Sequence, residues 1–373
     1  MKITDARVYI IPPEVSVTSW VNGDPWVLVE LYTGCGISGW GHAYTLYDRE
    51  HAIGRNVHVL AQRLDGKSPF CIKQFMTDTA ELITTSQNGI ELAAAAAGIE
   101  IALWDIIGKA LNAPVHDLMG GRCKDRIHLY ANCWSNQIRS PAELSSFAGE
   151  QARRGFRAVK LYPFLHDVSV SHGIASISAV REVVGADVAI FVDMLECMPG
   201  EDHGTLFEAL QTYGVSWLED PAPPDKIDQL CAIRNASGLP IVTGEELYTK
   251  QSFMRLCEAN AVDILNPEVA LLGILGVKEI AVIAEGYEKQ IAVHNANTMT
   301  IGLAAALHAA ALTPNSQWVE FFPTLETGSN SFSSLPFDLD DKGTVSVPLA
   351  PGLGVTVDQT RLCAMECDLR PGA

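Results

Sequence analysis

Val188-Ala189-Ile190-Phe191-Val192-Asp193, then Val215-Ser216-Trp217-Leu218-Glu219, then Ile241-Val242-Thr243-Gly244-Glu245, are three short apolar runs that each end on a carboxylate. Runs of this length, each followed by a helical stretch, predict parallel strands wrapped by helices. Five more complete the pattern: Ile127–Asn132, Ala158–Tyr162, Val262–Asn266, Ile291–His294 and Trp318–Glu320. Eight such units match the count that closes an α/β barrel of the TIM type, whose reactive face lies at the C-terminal ends of the strands. From the third run onward a charged or ionisable residue ends or closely follows every strand. These are Asp193, Glu219, Glu245, Glu268, His294 and Glu320, at intervals of 26, 26, 23, 26 and 26 residues. One strand-helix unit has about that length, so the spacing carries all six to one rim. A single carboxylate after a strand is ordinarily a turn residue or a helix N-cap; six in register make a mouth. Asp193, Glu219 and Glu245 would repel one another there unless a cation neutralises them. An oxygen-only set of three suits Mg²⁺, which keeps other positions for water or a bidentate ligand.

The part of the chain before residue 122 reads differently. Val27-Leu28-Val29-Glu30-Leu31-Tyr32 alternates faces and passes through Thr33-Gly34-Cys35-Gly36 into Ile37–Gly41, a hairpin signal. Glu91 to Leu111 is rich in Ala, Ile and Leu and predicts a largely buried helix, stopped by Asn112 and Pro114. The whole chain has 373 residues, 48% hydrophobic and 19% charged, with a formal charge of −18. That acidity, with no basic block, argues against nucleic acid and anionic lipid as partners. Nine scattered cysteines, an odd number with no CxxC, suit a reducing compartment. An acid at Asp5 opposes a signal peptide, and the longest apolar helical stretch, Met299 to Thr313, is too short for a bilayer span of roughly 20 residues. A cytoplasmic location, no membrane partner and a homo-oligomer are expected.

Several segments resemble the enolase superfamily, and within it the mandelate racemase-like branch. Gly98-Ile99-Glu100-Ile101-Ala102-Leu103-Trp104-Asp105, with Gly108-Lys109-Ala110-Leu111 and Leu118-Met119-Gly120-Gly121, is similar to the junction between that family's capping domain and barrel. Gly155-Phe156-Arg157-Ala158-Val159-Lys160 resembles its second barrel strand. Trp217-Leu218-Glu219-Asp220-Pro221 and Thr243-Gly244-Glu245-Glu246 resemble its metal-binding strand ends, and Pro351-Gly352-Leu353-Gly354-Val355 its returning C-terminal segment. The resemblance implies a (β/α)7β barrel over 122–325, an α+β capping domain over 1–121 that carries specificity loops, and a segment 326–373 that returns to the cap.

It also implies Mg²⁺ as cofactor, with Asp193, Glu219 and Glu245 as ligands, and a carboxylate-bearing small molecule as substrate. The implied first step removes the proton next to that carboxylate, giving an enediolate whose charge the cation stabilises. Lys160 matches the first lysine of a Lys-x-Lys motif and would bind the substrate carboxylate; an ammonium inside an apolar run needs an anion. The second lysine is replaced by Tyr162, a poor base unless nearby cations favour its phenolate. His294 matches the seventh-strand histidine and Glu268 its sixth-strand carboxylate partner, a pairing that suits acid-base work. Glu320 matches an eighth-strand glutamate that donates a hydrogen bond to substrate and must therefore keep its proton. Leu195 stands where the family usually has Asn. Two lid loops, 16–22 and 44–48, offer Trp20, Asn22, Tyr44 and Tyr47 as substrate contacts.

Dehydration of an acid sugar to a 2-keto-3-deoxy acid is the function expected, with His294 as the acid-base group. A racemase or epimerase needs two competent groups on opposite faces, and Tyr162 opposite His294 is the weaker pair. A non-catalytic metal-binding relative is the third reading, supported by Tyr162 and Leu195 and opposed by the Glu268–His294 dyad.

Overall fold

The computed structural model describes residues 1–45, 48–86, 89–165, 168–198 and 203–370. The hairpin forms as β2 (Trp26–Thr33) and β3 (Ser38–Ala43), in antiparallel register with Val27 opposite Ala43 and Tyr32 opposite Ser38. On its other side β2 pairs with β1 (Ile3–Ile11). Alternation along β2 separates two cores rather than a core from solvent. Trp26 and Leu28 pack with the barrel-side cluster, while Val27, Val29 and Leu31 join the cluster under the cap helices. The sheet is thus a wall between cap and barrel, and its strands carry apolar residues on both faces for that reason.

Helices α1 (Glu50–Gln62), α2 (Ile72–Ser86) and α3 (Ile90–Leu111) complete the cap. The backbone of α3 lies directly on β3: a Cβ added at Gly41 would stand 1.8 Å from the carbonyl oxygen of Gly98. Only glycine permits that approach. Asn112, in the left-handed region at φ 52°, ends the helix. A single turn, α4 (Val115–Leu118), leads to the barrel.

The barrel strands are β4 (Arg126–Asn132), β5 (Ala158–Leu161), β6 (Ala189–Asp193), β7 (Val215–Glu219), β8 (Ile241–Thr243), β9 (Ile264–Leu265), β10 (Gln290–Val293) and β11 (Ser316–Phe321). Each pairs in parallel with the next, and β11 pairs with β4, which closes the ring. Between them run α5 (Pro141–Arg154), α6 (Val170–Val184), α7 (His203–Thr212), α8 (Ile227–Ser237), α9 (Lys250–Glu258), α10 (Val269–Gly286) and α11 (Thr300–Ala311). Eight strands and seven intervening helices make the (β/α)7β order. A layer of Tyr130, Phe191, Trp217, Val242 and Ile264 fills the barrel, with Phe191 and Trp217 stacked at 3.4 Å between centroids. It forms an apolar floor. After β12 (Ser333–Ser334) the tail divides its pairing. β13 (Thr344–Ser346) adds to β4, β14 (Thr356–Val357) pairs with β12, and β15 (Glu366–Cys367) adds to β1 of the cap. All nine cysteines are free. Among the described residues no helix is long and apolar enough to cross a membrane.

One buried carboxylate joins cap to barrel. Helix α10 is interrupted at Gly273, at φ 74° and ψ 169°, so a second helical N-terminus begins there. Glu100 of α3 caps it. Its carboxylate accepts from the N–H groups of Ile274 and Leu275, each at 2.9 Å, and from the Trp104 indole at 2.7 Å. A Cβ at Gly273 would lie 2.4 Å from that carboxylate. Burial raises Glu100 from 4.5 to about 7, against the pull of its three donors. The folded chain therefore binds the extra proton between those values, and this group's contribution to stability falls as pH rises through the window. Glu100→Gln places an amide N–H against a backbone N–H and is expected to lower stability by about 1–3 kcal/mol. Urea unfolding near pH 5 and pH 8 should show the gap between wild type and variant narrowing toward the higher pH. A gap that stays constant or widens contradicts the linkage.

Candidate active site

The spacing of the acids becomes convergence because each strand delivers its residue to the same end of the ring. Asp193 and Glu219 end β6 and β7 and lie side by side in register. Glu245 follows β8 by two residues, and Glu268 and His294 form an isolated parallel bridge beyond β9 and β10. Glu320 lies within β11. Lys160 of β5 is fully buried beneath them. Its Nζ reaches Glu219 Oε1 and Glu320 Oε1 at 2.8 Å each, and Asp193 Oδ2 at 3.4 Å. His294 is the second cation. Nδ1 meets Glu268 Oε2 at 2.8 Å, and Nε2 meets Glu245 Oε2 at 2.7 Å and Glu320 Oε2 at 3.0 Å. Glu268 is itself fixed: it accepts from Ala270 N at 2.7 Å and from Ala296 N at 2.9 Å.

These contacts set the charges. Burial opposes the Lys160 ammonium, but Glu219 and Glu320 overcome it and hold the lysine well above its ordinary range. Burial likewise opposes the His294 imidazolium, and Glu320 and Glu245 outweigh it. Burial pushes Asp193 well up, and repulsion from Glu219 adds to it; Glu219 is raised mainly by burial, with Lys160 pulling the other way. For Glu320 burial is overcome by His294 and Lys160, which hold it well below the usual carboxylate range. The expectation that Glu320 keeps a proton is corrected here, because it sits between two cations. The nearby cations do not make Tyr162 a phenolate. Burial raises that hydroxyl well above its usual range despite Lys160, and it accepts from Asn132 Nδ2 at 2.7 Å.

Two other expectations are altered by competition for charge. Lys160 donates to Glu219 and stands in ion-pair range of Glu320 and Asp193, so its ammonium is engaged by the chain's own carboxylates in this arrangement. Among the described residues, the acids and histidines whose ligand atoms lie within 4.8 Å of one another are Glu219, Glu245 and His294. Asp193, expected in that set, instead accepts from Leu195 N at 2.9 Å and faces Lys160. Glu245 has turned to the imidazole, a cation the chain itself supplies.

The donors fit a divalent cation on chemical grounds. Oxygen predominates, the acids repel one another, and Asp220, 5% exposed, adds an Oδ1 with no hydrogen-bond partner among the described residues. Asp220 stands in the left-handed region at φ 38°, held between its neighbours Glu219 and Pro221. Its place directly after a strand-end acid was the signal that could have singled it out. Asn132 and Asn266, which donate to Glu320 at 2.7 Å and to Glu219 at 3.1 Å, carried no such signal.

Above the acids lies a cavity of about 340 Å³, lined by Asp24, Tyr44, Trp134, Tyr162, Leu195 and His294 among others. Of the expected lid contacts, Tyr44 lines it and Tyr47 falls outside the described residues. Trp20 and Asn22 are not among its walls. Trp20 is taken up by stacking on Phe147 at 4.4 Å, and Asn22 is exposed, its N–H donating to Asn136 Oδ1 at 2.6 Å. Their neighbours Val21, Gly23 and Asp24 face the cavity instead.

A (β/α)7β barrel with acids at its strand ends, closed by an α+β cap, is the architecture of the enolase superfamily. Residues 143–361 match the enolase C-terminal domain-like family, and residues 1–120 match the N-terminal domain of the mandelate racemase / muconate lactonizing enzyme family. The chain belongs to that family. It is 29% identical to D-xylonate dehydratase of Haloferax volcanii, over 95% of this chain and 90% of that one. It is 28% identical to D-galactonate dehydratase of Cronobacter sakazakii, over 98% and 94%. Among solved structures, an enolase from Sargasso Sea environmental sequencing matches with TM-score 0.90 at 27% identity, covering 98% of this chain and 97% of that one. The 3,6-anhydro-D-galactonate cycloisomerase of Zobellia galactanivorans matches with TM-score 0.87 at 26% identity, covering 99% and 100%.

Removing the Lys160 ammonium leaves buried carboxylates without their counter-charge, a loss of about 3–5 kcal/mol for such an interior group. Lys160→Met should therefore melt well below wild type. Millimolar Mg²⁺ should recover more stability in the variant than in wild type. Thermal melts with and without Mg²⁺ check this, and equal melting of the two proteins would contradict it.

Proposed function

We propose that this chain is a Mg²⁺-dependent dehydratase of an acid sugar, which removes the proton next to the carboxylate and expels the hydroxyl one carbon further on. The observation that carries the reading is His294: its Nδ1 is fixed on Glu268, and its other nitrogen stands at the cavity wall beside Glu245 and Glu320. The fixed carboxylate sets the tautomer and raises the basicity of the free nitrogen. The named dehydratases of D-xylonate and D-galactonate among the relatives support the reaction class.

A divalent cation held by Asp193, Glu219 and Glu245 would supply the positive charge that stabilises the carboxylate oxygens as the neighbouring proton leaves. A cation at Glu245 would weaken that carboxylate's hold on the imidazolium, and His294 would act as the base in its neutral form. Nε2 of His294 then takes the C2 proton, and the same proton goes to the departing C3 hydroxyl. Water leaves and the ring returns to its starting form. Tyr162, a neutral phenol anchored on Asn132, serves as a hydrogen-bond donor at the cavity wall. Lys160 holds Glu219 and Glu320 in place from below.

An isomerase is the second reading, favoured by the likeness to the 3,6-anhydro-D-galactonate cycloisomerase. Epimerisation asks for two groups that exchange protons from opposite faces. Tyr162, raised far from a usable range, is a weak second group.

Incubation with Mg²⁺ and pooled acid sugars in D₂O, followed by proton spectra, separates these readings. Dehydration should give a 2-keto-3-deoxy product with solvent deuterium at C3, whereas epimerisation should put deuterium at C2 with inversion. His294→Asn should lower turnover by about 10²–10⁴-fold. Full turnover in that variant would remove His294 from the chemistry.

A further inference from the structure

The segment 16–24 of the cap has no regular secondary structure, yet it supplies Val21, Gly23 and Asp24 to the cavity wall. Inside the segment, Thr18 Oγ1 accepts from Trp20 N and Val21 N, each at 3.1 Å, which makes a small local turn. The grip on the barrel comes from the connection between β4 and α5. The Arg139 guanidinium lies 4.3 Å from the centroid of the Trp20 ring, and Trp20 stacks on Phe147 of α5 at an interplanar angle of 15°. The same guanidinium donates to Ser19 O at 2.7 Å and to Ser135 Oγ at 2.8 Å, and faces Glu143 at 3.6 Å. Ser135 Oγ in turn donates to Trp20 O at 2.9 Å. Asn136 accepts from Asn22 N one residue further on. Three residues of the segment, Ser19, Trp20 and Asn22, are thus held from one barrel connection, and Val21 between them is held by Thr18.

We propose that Arg139 is a positioning residue of this active site. With Trp20 and Phe147 it clamps segment 16–24 over the mouth and so fixes Asp24 at the cavity wall. Arg139 does not line the cavity and acts only through the segment it holds. A planar guanidinium suits this task, since it bonds a backbone carbonyl and covers an indole face at once; an ammonium does only the first. Asp24 is the group that gains. Burial raises its carboxyl, and from the cavity wall it can accept from a hydroxyl of a bound ligand. The kinetic consequence rests on the proposed dehydratase reading; the clamp does not.

Hydrogen exchange of the full chain without substrate tests the clamp directly. In Arg139→Ala the amides of residues 18 to 22 should exchange about tenfold faster, while those of β4 and β10 stay as in wild type. Arg139→Lys should behave like the alanine variant, because charge without the planar stack does not restore the clamp. Trp20→Leu removes the same stack from the other side and should give the same acceleration, which keeps the test decisive should one variant fold poorly. Unchanged exchange at 18 to 22 in these variants would overturn the proposal. With a turned-over acid sugar, the variants should raise KM about tenfold and change kcat less. A KM equal to wild type together with a lowered kcat would also overturn it. Faster exchange with no acid sugar turned over by wild type would leave the clamp standing and remove the dehydratase reading instead.

Discussion

The ammonium of Lys160, sealed among Asp193, Glu219 and Glu320, is the charge around which the barrel mouth is arranged. Beneath it lies the stacked pair Phe191 and Trp217, two buried aromatic rings. In such a place an unpaired ion costs several kcal/mol, so the carboxylates are necessary to the fold before they are useful to chemistry. They outnumber the cations, however. Lys160 and His294 face Asp193, Glu219, Glu245, Glu268 and Glu320, and the mouth stays anionic. That excess is what a divalent cation would offset in the proposed dehydratase.

The same excess explains the side-chain pairings. Glu245 pairs with His294 at 2.7 Å. That pairing holds the ring as imidazolium and Glu320 as carboxylate. The protonation states of this site are therefore a property of its total charge rather than of any one residue. Changing that total shifts several of them together.

What the sequence made legible follows from the same physics. Strand ends at nearly constant spacing must converge in a closed barrel, so Asp193, Glu219, Glu245, Glu268, His294 and Glu320 could be placed from periodicity and chemistry alone. Pairing could not be placed, because it depends on competition among side chains within 3 Å of one another. The lid was misread for a related reason. Trp20 and Asn22 have the polar and aromatic character of substrate contacts, yet stacking on a barrel helix and binding a ligand call for the same residue types. Glu100 gave no signal of its role, since its partners are backbone N–H groups 174 and 175 residues away.

That distant capping contact bears on His294. Helix α10 begins at Val269, directly after Glu268, breaks at Gly273 and begins again at Ile274. Glu268 caps the first start and Glu100, from the capping domain, caps the second. The turn between these two carboxylates, Val269 to Leu272, is fully or nearly fully buried, so it has little room to shift by itself. Glu268 at its head orients His294. The cap therefore reaches the barrel mouth along two routes: over it, through the segment held by Arg139, and behind His294, through Glu100 and a single turn of helix. A substitution at the cap-barrel seam can thus alter the chemistry without touching any residue of the cavity, because the imidazole is aimed by a backbone that the cap holds in place.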